Sequence, residues 1–179
     1  MAVRTRLAAA LVALLPLAAC EPMYGPPPPT RITTPTEDTA FRAGDFAWSR
    51  AVGRNALVGS VTFRSGTTRY GCAGATVVLT PETPWSRKRM DVLYLSGQRA
   101  ALPVDEVRGR AGKAPPGDSD PYVKRAICDD ASRFSFGGLA DGAWYVVTIA
   151  KPAAGQTGPT MALMRRVVTS AGRTVSFDL

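Results

Sequence analysis

Apolar and polar positions alternate with a period of two along several short stretches of this chain, most clearly between Cys128 and Ala150. Phe134 and Phe136 alternate on one side of the run Gly137-Gly-Leu-Ala-Asp-Gly142, and Tyr145, Val147 and Ile149 alternate on the other. The glycines and Asp141 tolerate positive φ and tight bends, so the pattern predicts two strands joined by a short turn, a β-hairpin. Leu57–Phe63 predicts another strand, with Gly59, Val61 and Phe63 on one face and Val58, Ser60 and Thr62 on the other. Ala75–Thr80 places Val77 and Leu79 on one face and is closed by Pro81 and Pro84. Tyr122–Cys128 leads into the hairpin. Met161–Thr169 and Thr174–Leu179 predict the last two strands, bent at Ala171-Gly172, with Val175, Phe177 and Leu179 alternating. Phe46 and Trp48 are expected to open the domain as core or edge packing. Short strands, frequent turns and the absence of a long amphipathic helical pattern predict an all-β chain arranged as a β-sandwich.

The middle of the chain is less regular. Pro84–Arg125 is long for a connection and reads as an insert. Met90–Leu95 is apolar enough to pack on the sandwich, and periodicity over so few residues allows either a short strand or a helical turn. Val104–Asp120, rich in glycine, proline and charge, is expected to be a mobile surface loop and the place for a variable functional loop.

The N-terminus carries an address. Met1–Arg6 holds two arginines and no acid, and Leu7–Leu17 is apolar but well short of the roughly 20 residues needed to cross a bilayer. The pattern is that of a secretory signal peptide over residues 1–19. Its ending, Leu17-Ala-Ala-Cys20, resembles the lipobox of bacterial lipoproteins. That resemblance implies a diacylglycerol thioether on Cys20, cleavage before it, and membrane attachment through the lipid. Glu21 rather than aspartate after the cysteine leans toward an outer-membrane lipoprotein facing the periplasm. The competing reading is an ordinary signal peptide with an incidental thiol at Cys20. Residues 20–45 contain Pro26-Pro-Pro-Pro29 and no apolar period, so they are expected to form a semi-extended tether of at most about 80 Å, leaving 46–179 as the folded domain with its insert at 84–125.

A second resemblance covers the domain. Gly59-Ser-Val61, Cys72-Ala-Gly-Ala-Thr-Val-Val-Leu79, Cys128-Asp-Asp-Ala-Ser-Arg-Phe-Ser-Phe136 and Gly138-Leu-Ala-Asp-Gly-Ala-Trp-Tyr-Val146 look like carboxypeptidase regulatory-like domains of the transthyretin-like (prealbumin-like) group. The resemblance spans 56–179, with the insert outside it, and implies a Greek-key β-sandwich of about seven strands. Ser132 stands where that pattern usually has glycine, and Ala140 where it usually has proline. Such sandwiches serve as accessory, adhesive and binding modules, so the likeness says little about function. With Cys20 lipidated, Cys72 and Cys128 remain as an even pair in an oxidising compartment, expected to form a disulfide closing a loop of about 57 residues. Two free thiols are the alternative.

Composition narrows the chemistry further. Mean hydropathy near zero excludes a polytopic membrane protein. The net charge of +8 falls to +6 once Arg4 and Arg6 leave with the signal peptide. That excess suits an anionic glycan or lipid, or a solvated basic surface. No aromatic-plus-basic motif for nucleic acid is present. The chain has no histidine, which removes Ser-His-Asp, Cys-His and histidine-based zinc sites, and no cofactor motif is visible. Asp129-Asp130 lacks the spaced ligands of a calcium loop and is expected to shape a turn. Asp105, Glu106, Asp118 and Asp120 are paired acids in a loop expected to be solvated, a weak basis for hydrolysis. Trp85 with Ser86-Arg-Lys-Arg89 is a candidate contact for lipid phosphates or an anionic polymer, or else a solvated rim. Together these features predict a lipid-anchored, non-catalytic cell-envelope module that binds a protein, a glycan or the membrane surface. An accessory subunit of an envelope enzyme or export assembly is the alternative, and a hydrolase ranks last.

Overall fold

A computed structural model describes residues 38–179. The expected signal peptide, the lipobox-like ending and most of the expected tether lie outside the described residues. The chain enters through a 3-10 helix, Ala43–Arg50, and continues into strand β1, Asn55–Ser60. A small ribbon follows, β2 (Arg64–Ser65) and β3 (Thr68–Gly71), then β4 (Thr76–Pro81). Helix α1 spans Pro84–Tyr94, β5 Arg99–Pro103 and α2 Val104–Gly109. The rest is β6 (Lys124–Ile127), β7 (Arg133–Leu139), β8 (Gly142–Pro152), β9 (Met161–Thr169) and β10 (Thr174–Asp178).

These strands make two sheets. In the smaller, β1 pairs in parallel with β10 on one side and antiparallel with β7 on the other. In the larger, β8 is the centre: it pairs antiparallel with β4, β9 and, at its far end, β3. β6 extends this sheet beyond β4, and β5 extends it beyond β9. The protein is therefore mostly β, with few helices. The main core lies between the sheets: Leu57, Phe134, Phe136 and Phe177 from one, Val77, Leu79, Trp144, Val146 and Leu163 from the other. The terminal alternation of Val175, Phe177 and Leu179 places Phe177 and Leu179 in that core, as the sequence pattern requires.

The expected hairpin from Cys128 to Ala150 does not form. β7 and β8 belong to different sheets, and the glycine-rich run between them carries the chain from one to the other. Period-two alternation is satisfied equally well by strands side by side or by strands facing each other across a core, and here the second arrangement holds. Gly142 makes the passage feasible: its φ is +154°, and a Cβ there would lie 2.3 Å from the Trp48 ring. The face of β8 turned to the sandwich is also the opposite of the one the aromatic pattern suggested. Trp144, Val146, Thr148 and Ala150 point between the sheets, while Tyr145 and Val147 point outward.

The insert explains that outward apolar face. Its expected strand-or-turn at Met90–Leu95 is the end of α1, and its expected loop at Val104–Asp120 contains α2 and a 3-10 turn at Ala111–Lys113. Helix α1 starts where proline at the first position and a reciprocal Thr83–Ser86 capping box satisfy its free amide groups. The helices form a third layer over the larger sheet, and Met90, Tyr94, Tyr145, Ala162 and Met164 make a second core beneath them. The folded part also begins before Phe46, the expected boundary. Phe41 packs edge-on against Trp85 with ring centroids 5.2 Å apart, Phe46 stacks on Tyr122 at 4.7 Å, and Arg50 lies 4.6 Å above the same Tyr122 ring. The entering segment thus clasps both ends of the insert.

Truncating this clasp by Phe46→Ala removes a fully buried ring and should cost about 3–5 kcal/mol, read as a lower midpoint in urea unfolding; an unchanged midpoint would refute the clasp. Burial holds the Tyr94 hydroxyl proton up to about 12. Burial first, and the Glu82 carboxylate second, do the same for Tyr145. The folded chain keeps both protons to higher pH than the unfolded chain, whose tyrosines titrate near the ordinary value of 10.0. Stability should therefore be unaffected by these groups below about pH 10 and fall as pH rises toward about 12. A phenolate absorbance titration should show a component from Tyr94 and Tyr145 ionising toward pH about 12, and its completion near 10.0 would contradict the burial.

Candidate functional site

At the end of the larger sheet remote from the aromatic clasp, two turns are tied together. Cys72 and Cys128 are joined, with Cα atoms 5.7 Å apart, within the span a disulfide bridges. Backbone bonds run alongside the bridge: Gly74 N–H donates to the Cys128 carbonyl at 2.9 Å, and Cys128 N–H donates to the Ala75 carbonyl at 2.9 Å. The Cys128–Arg133 turn is shaped by Asp129, whose Oδ1 accepts from the Arg133 N–H at 2.7 Å and whose Oδ2 accepts from Arg133 Nε at 3.2 Å. The Arg133 amide bond, and then its charge, hold the Asp129 carboxyl below its usual range. This is the turn-forming role the sequence indicated. Ser132 occupies the left-handed region, φ +58°, and its Oγ accepts from the Cys72 N–H at 3.1 Å. The hydroxyl bond from one turn to the other accompanies a backbone conformation that serine seldom adopts.

Between these turns and the ends of β3 and β8 lies a cleft of ≈ 700 Å³. The small residues of Gly71 to Ala75 line it together with Arg69, Lys151, Asp130 and Ser132. Arg69 and Lys151 are exposed, and among the described residues neither side chain has an acidic partner. Position is fixed from below. The Ala153 N–H donates to the Arg69 carbonyl at 2.8 Å, Gln156 Oε1 accepts from the Arg69 N–H at 2.6 Å, and Tyr70 anchors the strand in the core. Two cations beside a hydroxyl can hold a ligand with anionic and hydroxyl groups.

Of the residues singled out in the sequence, Cys72, Asp130 and Ser132 line this cleft, and the acids and the basic run of the insert lie elsewhere. The acids of the insert are spread over helix α2 and the exposed segment before β6. Asp105 faces Arg108 at 3.6 Å, Glu106 meets Arg110 at 3.1 Å, and Asp120 meets Arg125 at 2.7 Å. Asp118 accepts from the Asp120 N–H at 2.9 Å. No group of three acidic or thiol side chains among the described residues is placed to hold a metal. The basic run after Trp85 is divided by helix α1. Ser86 is a buried cap, Arg87 Nε bonds Glu82 at 2.9 Å, and Arg89 stacks 5.4 Å from the Trp85 ring while donating to the Pro115 carbonyl at 3.0 Å. Trp85 itself is buried and donates to the Pro116 carbonyl at 2.9 Å. This run holds the insert in place rather than offering a basic patch. Arg69 and Lys151 carried no motif. The signal available for Lys151 was the period-two series Tyr145, Val147, Ile149, Lys151, which turns from apolar to charged at its end.

No protein-family model matches the chain, and no curated protein matches it. Its fold resembles the crystal structure of a "putative carbohydrate binding protein" from Pseudomonas aeruginosa, with a TM-score of 0.55 and 18% sequence identity, over 78% of this chain and 97% of that one. At that identity the likeness concerns the fold.

Proposed function

We propose that this chain is a lipid-anchored, non-catalytic binding module of the bacterial cell envelope, and that its ligand is an acidic glycan held in the cleft between Arg69 and Lys151. The observation that carries the reading is a cleft beside the Cys72–Cys128 bridge lined by two cations, Arg69 and Lys151, that make no ion pair among the described residues, against one acid, Asp130. The named ligand class of the structural neighbour supports a carbohydrate. The absence of an exposed aromatic among the cleft residues favours charge over ring stacking as the source of affinity. Within this proposal the sandwich is of the transthyretin-like Greek-key kind, with the α-layer and β5 as additions to it. Cys20 carries the lipid, and the domain faces the periplasm from the outer membrane.

Titration with an acidic oligosaccharide should show binding that weakens as salt rises, because exposed charges are screened beyond about 10 Å at 0.1 M. Arg69→Ala combined with Lys151→Ala should lower affinity about tenfold or more without changing the thermal midpoint, each charge-assisted bond being worth about 1.5–3 kcal/mol. Equal binding by the double variant, or equal binding of neutral and acidic sugars, would remove the cleft from the proposal. The anchor has its own test. Peptide mass mapping of protein extracted from envelopes without reductant should find an acylated Cys20 at the mature N-terminus and a linked Cys72–Cys128 pair. An uncleaved leader or unmodified Cys20 would end the lipoprotein reading, and free thiols at 72 and 128 would end the bridge.

A further inference from the structure

The outer face of the larger sheet changes character along β8. Tyr145, Val147, Ile149 and Lys151 are two residues apart and share that face. Tyr145 is fully buried beneath the helical layer, Ile149 is 40% exposed, and Lys151 stands open in the cleft. The neighbouring strands repeat the change in register. Val78 of β4 lies opposite Val147, and Gly71 of β3 lies opposite Lys151, which puts Arg69 on the same face two residues before. Under α2 and the end of α1, the apolar part of this face borders a second cavity of ≈ 340 Å³. Val78, Val147, Val104, Val107, Tyr94 and Ile149 line it.

The two cavities adjoin at one side chain. Ile149 lines both, and Ala75 of the basic cleft is followed in the chain by Thr76 of the apolar cavity. The charged group at the edge of the apolar cavity, Arg108, faces Asp105 at 3.6 Å, whereas Arg69 and Lys151 make no ion pair among the described residues, with Asp130 the single acid on the cleft lining. Two cations against one acid leave net positive charge at one end of the combined groove, and apolar surface lies at the other. A purely polar sugar would leave the apolar end wet, and a purely apolar ligand would leave the cations unused.

We infer that the groove is built for an amphiphile, a glycolipid whose anionic sugar head lies against Arg69 and Lys151 and whose single alkyl or acyl chain passes over Ile149 into the apolar cavity beneath α2. This deepens the acidic-glycan reading of the cleft and rests on it.

The test uses the full chain carrying Cys20→Ser, which has no lipid of its own, and three matched probes: methyl glucoside 6-phosphate, octyl glucoside 6-phosphate and neutral octyl glucoside, each below its micelle concentration. Octyl glucoside 6-phosphate should bind at least tenfold tighter than its methyl counterpart, the gain from burying about two methylene groups, and also tighter than neutral octyl glucoside. Val107→Trp, which fills the apolar cavity away from the cleft, should abolish the gain from the octyl chain and leave the methyl phosphate affinity unchanged. If that variant does not fold, a series of methyl, butyl and octyl phosphates on the Cys20→Ser chain gives the same answer through the dependence on chain length. Equal affinity for methyl and octyl phosphates would overturn this inference and leave the acidic-glycan cleft standing. Binding of neutral octyl glucoside as tight as that of its phosphate would overturn the amphiphile and the cleft together. Binding by none of the probes, or a dimer in sedimentation that the octyl phosphate does not disperse, would overturn the inference as well.

Discussion

Strand β8 is buried on both faces over its first half, and the rest of the architecture answers that constraint. Trp144 and Val146 project into the sandwich, while Tyr145 between them projects to the other side, and all three are fully buried. An antiparallel sheet can leave one face to water, but a strand carrying large apolar groups on both faces needs cover on both. The smaller sheet supplies one cover and the helices of the insert supply the other. The helical layer is in turn held by the aromatic clasp of Phe41, Phe46, Trp85 and Tyr122, so a segment just outside the expected domain boundary secures the middle of the chain.

The same strand generates the candidate site. β8 is longer than the layer that covers it, and beyond Val147 its outer face emerges from beneath α2. The emerging residues, Ile149 and Lys151, are the places where the surface passes from apolar to charged. Across this end the Cys72–Cys128 bridge and the Ser132 hydroxyl bond fix two turns against each other, which gives the cleft a defined lining. Turns tied to each other, and two cations that make no ion pair among the described residues, give a site whose geometry is set by the fold and whose affinity is left to its side chains.

Buried polar groups tie the sheets at the opposite end. Asn55 Nδ2 donates to the Leu139 carbonyl at 2.9 Å and to Asp141 Oδ1 at 2.7 Å, and its Oδ1 accepts from the Arg173 N–H at 3.0 Å. It thereby joins β1 to the crossover after β7 and to the turn before β10. Trp144 Nε1 donates to Thr169 Oγ1 at 3.0 Å, and that hydroxyl donates to the Ala140 carbonyl at 2.7 Å. Such bonds matter most at a place where the chain leaves one sheet for another, because backbone groups there have no ladder partner.

Most strands were legible in the alternation of the sequence, as at Val77 and Leu79, Phe134 and Phe136, or Phe177 and Leu179, because a pleated backbone turns successive side chains to opposite faces whatever surrounds it. The turn at Asp129 was legible for a similar reason, since a short carboxylate bonds its own nearby amides. Pairing was not legible. Phe134–Phe136 and Tyr145–Ile149 carry the same alternation whether β7 and β8 lie side by side or face to face, and only the packing of Leu57 and Phe177 against Phe134 and Phe136 decides it. Nor could the sequence show which face of β8 meets which layer, because that depends on α1 and α2, whose apolar residues are too few and too spread for a helical period to stand out. The cleft belongs to the same class. Arg69 and Lys151 lie 82 positions apart in the chain and face one groove because Gly71 pairs with Lys151 across β3 and β8. Local chemistry along the chain determined the strands and the turns; contacts between distant segments decided the crossover, the helical cover and the site, because no local pattern records which surfaces will meet.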